Sequence, residues 1–310
     1  VADEHLASWN DGPAATAIRE FVEPVTTEGS PEFVPPDERV AVFDNDGTLW
    51  CEKPMPIELD FILQRLAAMA EEDASLRGRQ PWKAAYDRDY GWLGDVITKH
   101  YHGDDSDVKV LLAGILQAFA GMTVDDYGAA AHRFLVSGRH PTLGRAFHHC
   151  GYRPMIDLLG YLAANGFTNY IASGGDRDFM RPVTQAIYNI PSERVIGTSN
   201  ALRYEPDEHG GSVVYEAQPD YFDDGPVKPG TDLEPHRAAA DRGRRELQRR
   251  HRDAALRRRP VAPRAAAAGA ARRPRARVRL RRRAERAFEE AKARSWTVVS
   301  VKRDWATVFG

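Results

Sequence analysis

Cysteine is nearly absent, with Cys51 and Cys150 the only two in 310 residues. Two thiols are too few for a disulfide framework and show no metal-thiolate spacing, so a reducing compartment is expected, with one bridge between them as the covalent alternative. Long apolar runs are lacking too. The longest, Val108 to Met122, is interrupted by Lys109 and Gln117 and is too short to span a bilayer. The opening VADEHLASWNDG has neither the basic nor the apolar part of a leader. The chain is therefore expected to be cytoplasmic, or alternatively an exported mature form with its signal peptide removed, and to have no membrane partner. Lysine is missing from one long stretch. Gly230 to Arg283 holds nineteen Arg and five acids but no Lys, Phe, Tyr or Trp. Its balance of +14 leaves about −16 on the remainder of a chain whose formal net charge is −2.

What is present alternates in a readable way. An N-terminal extension, residues 1–38, carries a helix from Pro13 to Val25 behind an Asn10-Asp11-Gly12 capping turn, then the Pro-rich link PEFVPPDER. RVAVFD, Arg39 to Asp44, is short and β-branched between polar residues, which predicts a buried parallel strand. From residue 51 to 150 the spacing of apolar residues is helical throughout, enough for a small inserted domain. YRPMIDLLGYLAANG then predicts a helix, FTNYIASGG a strand, DRDFMRPVTQAIYNI a helix and RVIGTSN a strand. Alternation of that kind argues for an α/β, Rossmann-like, doubly wound parallel sheet made from residues 39–50 and 151–310, with an all-helical cap inserted between its first two strands. ALRYEPDEHGGSVVYEA predicts a hairpin about its Gly-Gly pair, and near the end AERAFEEAKARS predicts a helix and WTVVSV a last strand.

Three short segments carry chemistry. VFDNDGTLW places Asp44 and Asp46 just beyond the C-terminal end of the first strand, the edge where open α/β sheets bind ligands. A carboxylate at Asp44 can attack an electrophile while one at Asp46 protonates a leaving group and then activates water. Gly47 permits a tight turn that Thr48 can brace, although a polar Asx turn accounts for a bare D-x-D-G equally well. In IASGGD, the Ser173 hydroxyl and the Gly174 amide at a helix N-terminus form an anion cradle, or else a simple helix cap. Lys228, in DDGPVKPG, is a cation in an acidic loop. A phosphoryl group requires charge neutralisation from several sides, and these segments in this order would provide it. Weaker candidates are His100, His102, Asp104, Asp105 and Asp107 in KHYHGDDSD, for which a solvated loop and helix cap is preferred over a metal site. His148, His149 and Cys150 are adjacent in sequence only. Asp176, Arg177 and Arg181 either face a substrate or cap the following helix.

With these residues in place, the chain resembles the haloacid-dehalogenase-like (HAD) hydrolase superfamily, in its phosphoserine-phosphatase-like branch with a helical C1-type cap. DNDGT is similar to the family's first motif, ASGG to the second and the Lys-Pro of VKP to the third. The resemblance implies a Mg2+-dependent phosphomonoester hydrolase acting on a small phosphorylated metabolite through an aspartyl-phosphate. It makes Asp44 the nucleophile and Asp46 the general acid/base. Mg2+ would be held by Asp44 and the backbone carbonyl of Asp46, while Thr48, Ser173, Gly174 and Lys228 would bind the phosphoryl group. Halide-cleaving members lack the second aspartate, so its presence favours phosphate chemistry. Glu52 and Glu58 lie within reach of a substrate, but exposure on an amphipathic helix is the expectation for both. Alternatives are a phosphotransferase of the same family, or a catalytically impaired protein whose Arg-rich arm binds nucleic acid or anionic surfaces. Nucleic acid is not the expected partner.

The family's last Mg2+ carboxylate, in strings such as GNSNGD followed by IEML, has no counterpart in this sequence. After Lys228 only Asp232, Asp241 and Asp253 precede the closing helix, none behind a strand. A reading-frame error accounts for the loss. RELQRRHRDAA, Arg245 to Ala255, is encodable so that dropping one base yields GNSNGDIEML. In the same shifted frame Gly230 to Arg244 permits VRIWSRIGRRPIAGG, Arg264 to Ala271 permits ALRLLVLH, and Arg277 to Arg283 permits EFDYDAG. The expectation is that residues 230–283 are frame-shifted and not a basic arm, because local and global signals agree in a foldable sequence.

Overall fold

A computed structural model of the chain describes residues 4–208, 210–221, 288–289 and 291–310. Lys228 and the whole of 230–283, with Asp232, Asp241 and Asp253, lie outside the described residues. Helix α1 (Pro13–Thr26) starts with proline in its first turn, where the missing N–H has no helical partner to lose. Gly12 is its N-cap, without a side-chain hydrogen bond, so the predicted capping turn works through backbone alone. Strand β1 (Val40–Phe43) follows, shorter and less buried than expected, since only Phe43 is fully covered.

Five helices then run without a strand: α2 (Ile57–Glu72), α3 (Trp82–Tyr86), α4 (Tyr90–Tyr101), α5 (Ser106–Phe119) and α6 (Val124–Ser137). The chain next forms α7 (Arg153–Ala164), β2 (Thr168–Asp176), α8 (Arg177–Tyr188), β3 (Val195–Glu205) and β4 (Ser212–Tyr221). The four strands lie in the order β1-β2-β3-β4. β1 and β2 pair in parallel, as do β2 and β3, whereas β3 and β4 are antiparallel. This is a mixed α/β fold with a mostly parallel, Rossmann-like sheet flanked by helices.

Two sequence expectations are corrected. The third strand and the first arm of the hairpin are one strand, β3, whose first residues pair with β2 and whose last pair with β4. The strand continues through Asn200 and Ala201 with only a shift of register, and the turn after Glu205 closes on Gly210 and Gly211, both at positive φ. WTVVSV is not a strand. Trp296 N–H donates to Ala291 O (2.7 Å), Ser300 N–H donates to Asp304 Oδ2 (2.6 Å), and the chain enters a short helix, α9 (Val301–Asp304). A β-branched run needs a partner backbone to become a strand, and no described residue pairs with this one; Val299 is buried by packing instead.

One aromatic cluster joins the helical insert to the sheet. Phe61 of α2 lies 5.2 Å from Phe179 of α8, 5.5 Å from Phe119 of α5 and 5.8 Å from Tyr127 of α6, ring centre to ring centre. Tyr127 in turn lies 5.1 Å from Tyr215 of β4. Phe61 stacks on Phe119, while its contacts with Phe179 and Tyr127 are tilted and edge-to-face, all within the favoured spacing for ring pairs. The two chain segments that enter and leave the insert run side by side: Trp50 bridges Gly151, Cys51 N–H donates to Cys150 O (3.0 Å) and Tyr152 N–H donates to Leu49 O (2.8 Å). Cys51 and Cys150 face each other across this junction as free thiols. Burial pushes the Cys150 thiol up to about 12. Among the described residues no helix is long and apolar enough to cross a membrane.

Candidate active site

The register of β1 against β2, with Phe43 opposite Ile171, sets Asp44 and Asp46 beside Ala172 and Ser173 at the carboxyl ends of adjacent parallel strands. The first loop is tight. Thr48, Leu49 and Trp50 all donate backbone N–H to Asn45 O, at 3.1, 2.8 and 3.2 Å, and Gly47 N–H donates to Trp50 O at 2.9 Å. Gly47 sits at φ +70, and a Cβ there would lie 2.9 Å from Glu52 Cδ, so both conformation and space call for glycine. Thr48 braces the loop by its backbone N–H. Buried Trp50 was not expected in the site, yet its indole N–H donates to Asp46 Oδ1 at 2.8 Å and fixes that carboxylate. Asp44 remains exposed at the strand end.

The second segment is a bulge and not a helix cap. Ser173 pairs with Gly197 and Asp176 with Thr198, so Gly174 and Gly175 are extra residues lifted out of the ladder. The α8 N-cap is Asp176, whose Oδ1 accepts from Asp178 N–H at 2.8 Å. Buried Ser173 turns its hydroxyl inward to accept Gly175 N–H (3.2 Å), and Thr198 Oγ1 donates to Gly174 O (2.7 Å), leaving Gly174 exposed. Gly175 is packed against a carboxyl of the helical insert. A Cβ placed on it would stand 2.6 Å from Glu58 Oε2, 3.5 Å from Ser173 Oγ and 3.6 Å from Asp46 Oδ2. Residues from the loop after β1, from β2 and from α2, far apart in sequence, therefore surround one point.

Glu58 corrects the expectation of exposure. It is partly buried in the first turn of α2, and its Oε2 accepts Asp176 N–H at 3.0 Å across 118 residues. The missed signal was spacing: Glu58 precedes buried Phe61 and Ile62 by three and four residues, on the helix's inward face. Glu52 also departs from that expectation: it is partly buried in the loop before α2, against Gly47, and pairs with Lys53 at 3.0 Å. Asp176 accepts from Tyr127 Oη at 2.8 Å; Asp178 accepts from Tyr215 Oη at 2.9 Å and pairs with Arg181 at 2.8 Å. Arg181 is thus turned to Asp178, and Arg177 lies 3.7 Å from the same carboxylate. In the KHYHGDDSD loop, Asp104 Oδ1 accepts Ser106 N–H (3.0 Å) and Lys99 reaches Asp107 (2.6 Å). His148 and His149 pack ring against ring near α6.

Burial, then the Asp178 charge, pushes the Asp176 carboxyl from 3.8 to about 6. Burial, then Asp176 and Asp46, raises Glu58 well above its ordinary range. A carboxyl with a higher pKa folded than unfolded keeps a proton that the unfolded chain has released, so stability falls as pH rises from about 4 to about 6. Asp176→Asn keeps an acceptor for the cap and removes the charge. It is expected to stabilise the fold above pH 6 by on the order of 1–3 kcal/mol, with little gain near pH 4. Urea midpoints at the two pH values measure this; an equal gain at both would contradict it.

No protein family's sequence profile matches the chain, and no curated protein matches it. Solved structures with partial likeness include a functionally unknown protein from Anaerococcus prevotii (15% identity, covering 67% of this chain and 71% of that one, TM-score 0.38). Another is a phosphoserine phosphohydrolase-like protein from Francisella tularensis (17% identity, 59% and 64%, TM-score 0.32). A third, of unknown function, is from Bordetella pertussis (15% identity, 59% and 66%, TM-score 0.36).

Among the described residues no group of three or more His, Cys, Asp or Glu side chains is placed to hold an ion. Mg2+ nevertheless commonly takes one or two carboxylates and completes its octahedron with water and phosphate oxygens. The oxygen-only donors of the loop after β1, Asp44 and Asp46, are compatible with that chemistry.

Proposed function

We propose that this chain is a phosphomonoester hydrolase dependent on Mg2+ and working through an aspartyl-phosphate. The observation that carries the reading is the convergence of Asp46 Oδ2, Ser173 Oγ and Glu58 Oε2 about Gly175, with Asp44 exposed at the neighbouring strand end. An Asp44 oxygen attacks phosphorus as the bond to the leaving oxygen breaks, and Asp46 protonates that oxygen. Asp46, held by the Trp50 indole, then takes a proton from water, whose oxygen attacks phosphorus and frees Asp44. The exposed Gly174 amide and the Ser173 hydroxyl receive the phosphoryl oxygens, and Lys228 is assigned the remaining charge neutralisation. Asp44 and the Asp46 carbonyl would hold Mg2+, which when bound supplies charge stabilisation to the phosphoryl group. The helical insert chooses a small phosphorylated substrate and excludes water.

Hydrolysis of an aryl phosphate tests the reading. Turnover is expected with Mg2+ present and is expected to fall by about a hundredfold or more on chelation, returning when Mg2+ is added back. Absence of hydrolysis at saturating Mg2+ would exclude it.

A further inference from the structure

Asp176 is held from the insert at two places. Its backbone N–H goes to Glu58 Oε2 of α2 at 3.0 Å, and its carboxylate takes the Tyr127 hydroxyl of α6 at 2.8 Å. From the sheet side, Thr198 of β3 fixes Gly174 O at 2.7 Å. Gly197 permits the approach of β3, since a Cβ on it would lie 2.6 Å from Gly175 O and 2.9 Å from Arg177 N. A two-residue bulge has no ladder hydrogen bonds of its own, so its shape is set by whatever holds its ends. Ser173 is anchored in the sheet at one end. The other end, Asp176, pairs with Thr198 of the sheet and is held from the far side by the insert.

We propose that Glu58 is a positioning residue for anion binding: reaching in from the helical insert, it fixes the Ser173–Asp176 bulge in the shape that presents the Gly174 amide and Ser173 hydroxyl to a phosphoryl group. The proposal rests on the phosphatase reading and adds to it a residue from outside the strand-end motifs. Gly175 is glycine for the same reason, because a side chain there would occupy the place of the Glu58 carboxyl. The insert thereby takes part in shaping the cradle as well as covering it.

The test uses the full chain, an aryl phosphate as substrate and inorganic phosphate as competing ligand. Glu58→Ala is expected to raise both KM and the inhibition constant for phosphate by about tenfold with a much smaller change in kcat, the value of one lost hydrogen bond to a poised group. Glu58→Gln retains an acceptor and is expected to restore both constants to within about threefold of the parent. Gly175→Ala drives the carboxyl away from the opposite side and should reproduce the KM effect. Combined with Glu58→Ala it should add little, because both changes remove one contact. Amide hydrogen exchange should show Asp176 losing protection in Glu58→Ala, a readout independent of turnover. Unchanged KM and phosphate inhibition in a folded Glu58→Ala chain, or additivity of the two substitutions, overturns the proposal while leaving the phosphatase reading intact. A parent chain that neither hydrolyses aryl phosphate nor binds phosphate overturns both.

Discussion

Asp44→Asn is expected to abolish turnover, lowering kcat by about 10⁴-fold or more while leaving the fold in place. An amide is a poor nucleophile at phosphorus, and removing the group that forms the covalent intermediate closes the route, so a loss of the order seen for other nucleophile deletions follows. The structural cost is small because Asp44 is exposed beyond β1, and the loop is shaped by hydrogen bonds to Asn45 O. A melting temperature within a few degrees of the parent is therefore the companion expectation. Asp46→Asn differs in kind. Its Oδ1 accepts from Trp50, which an amide oxygen also does, so positioning survives and only proton transfer is lost. With an activated aryl phosphate, whose leaving group scarcely needs a proton, that variant should retain more phosphorylation activity than Asp44→Asn. Single-turnover assays separate the two; equal activity of Asp44→Asn and parent would remove Asp44 from the reaction.

Much of this arrangement was legible because it is local. The apolar run of residues 40–43 ending in two aspartates, the Ser-Gly-Gly at the end of the next strand and the uninterrupted helical spacing between them follow from periodicity and turn chemistry. What escaped depends on contacts between distant segments. Trp50 reads as one more apolar residue until the loop brings its indole to Asp46. Glu58 reads as a first-turn helix acid, favourable with the dipole, until α2 packs Phe61 against Phe179 and thereby places the carboxyl at Asp176. Ser173 to Gly175 reads as a cap because helix N-termini and bulges use the same small residues, and only the pairing of Asp176 with Thr198 separates them. The WTVVSV segment shows the reverse error, in which strand composition is present and no described partner backbone exists.

Recoding residues 230–283 one base later is expected to produce the second large effect. Among the described residues β1 has a partner on one side only, β2, and Val42 on that strand is 37% exposed. An open α/β sheet buries its parallel strands on both faces. The shifted frame supplies PIAGG, GNSNGDIEML and ALRLLVLH, apolar β-type runs around an aspartate behind a strand, where the printed frame supplies arginine and alanine. A further carboxylate for Mg2+ should raise apparent metal affinity by about a hundredfold or more, given that losing even an outer partner of a metal ligand costs 10–100-fold. Substitution of that single aspartate by Asn in the recoded chain should cancel the gain in metal affinity without cancelling any gain in melting temperature, which separates the ligand from the strands around it. Peptide masses from the natural protein give the independent check. Fragments matching the shifted frame are expected; recovery of fragments spanning the printed Arg-rich stretch would show that the arm is real, and binding whose affinity falls steeply with salt would then become its expected property.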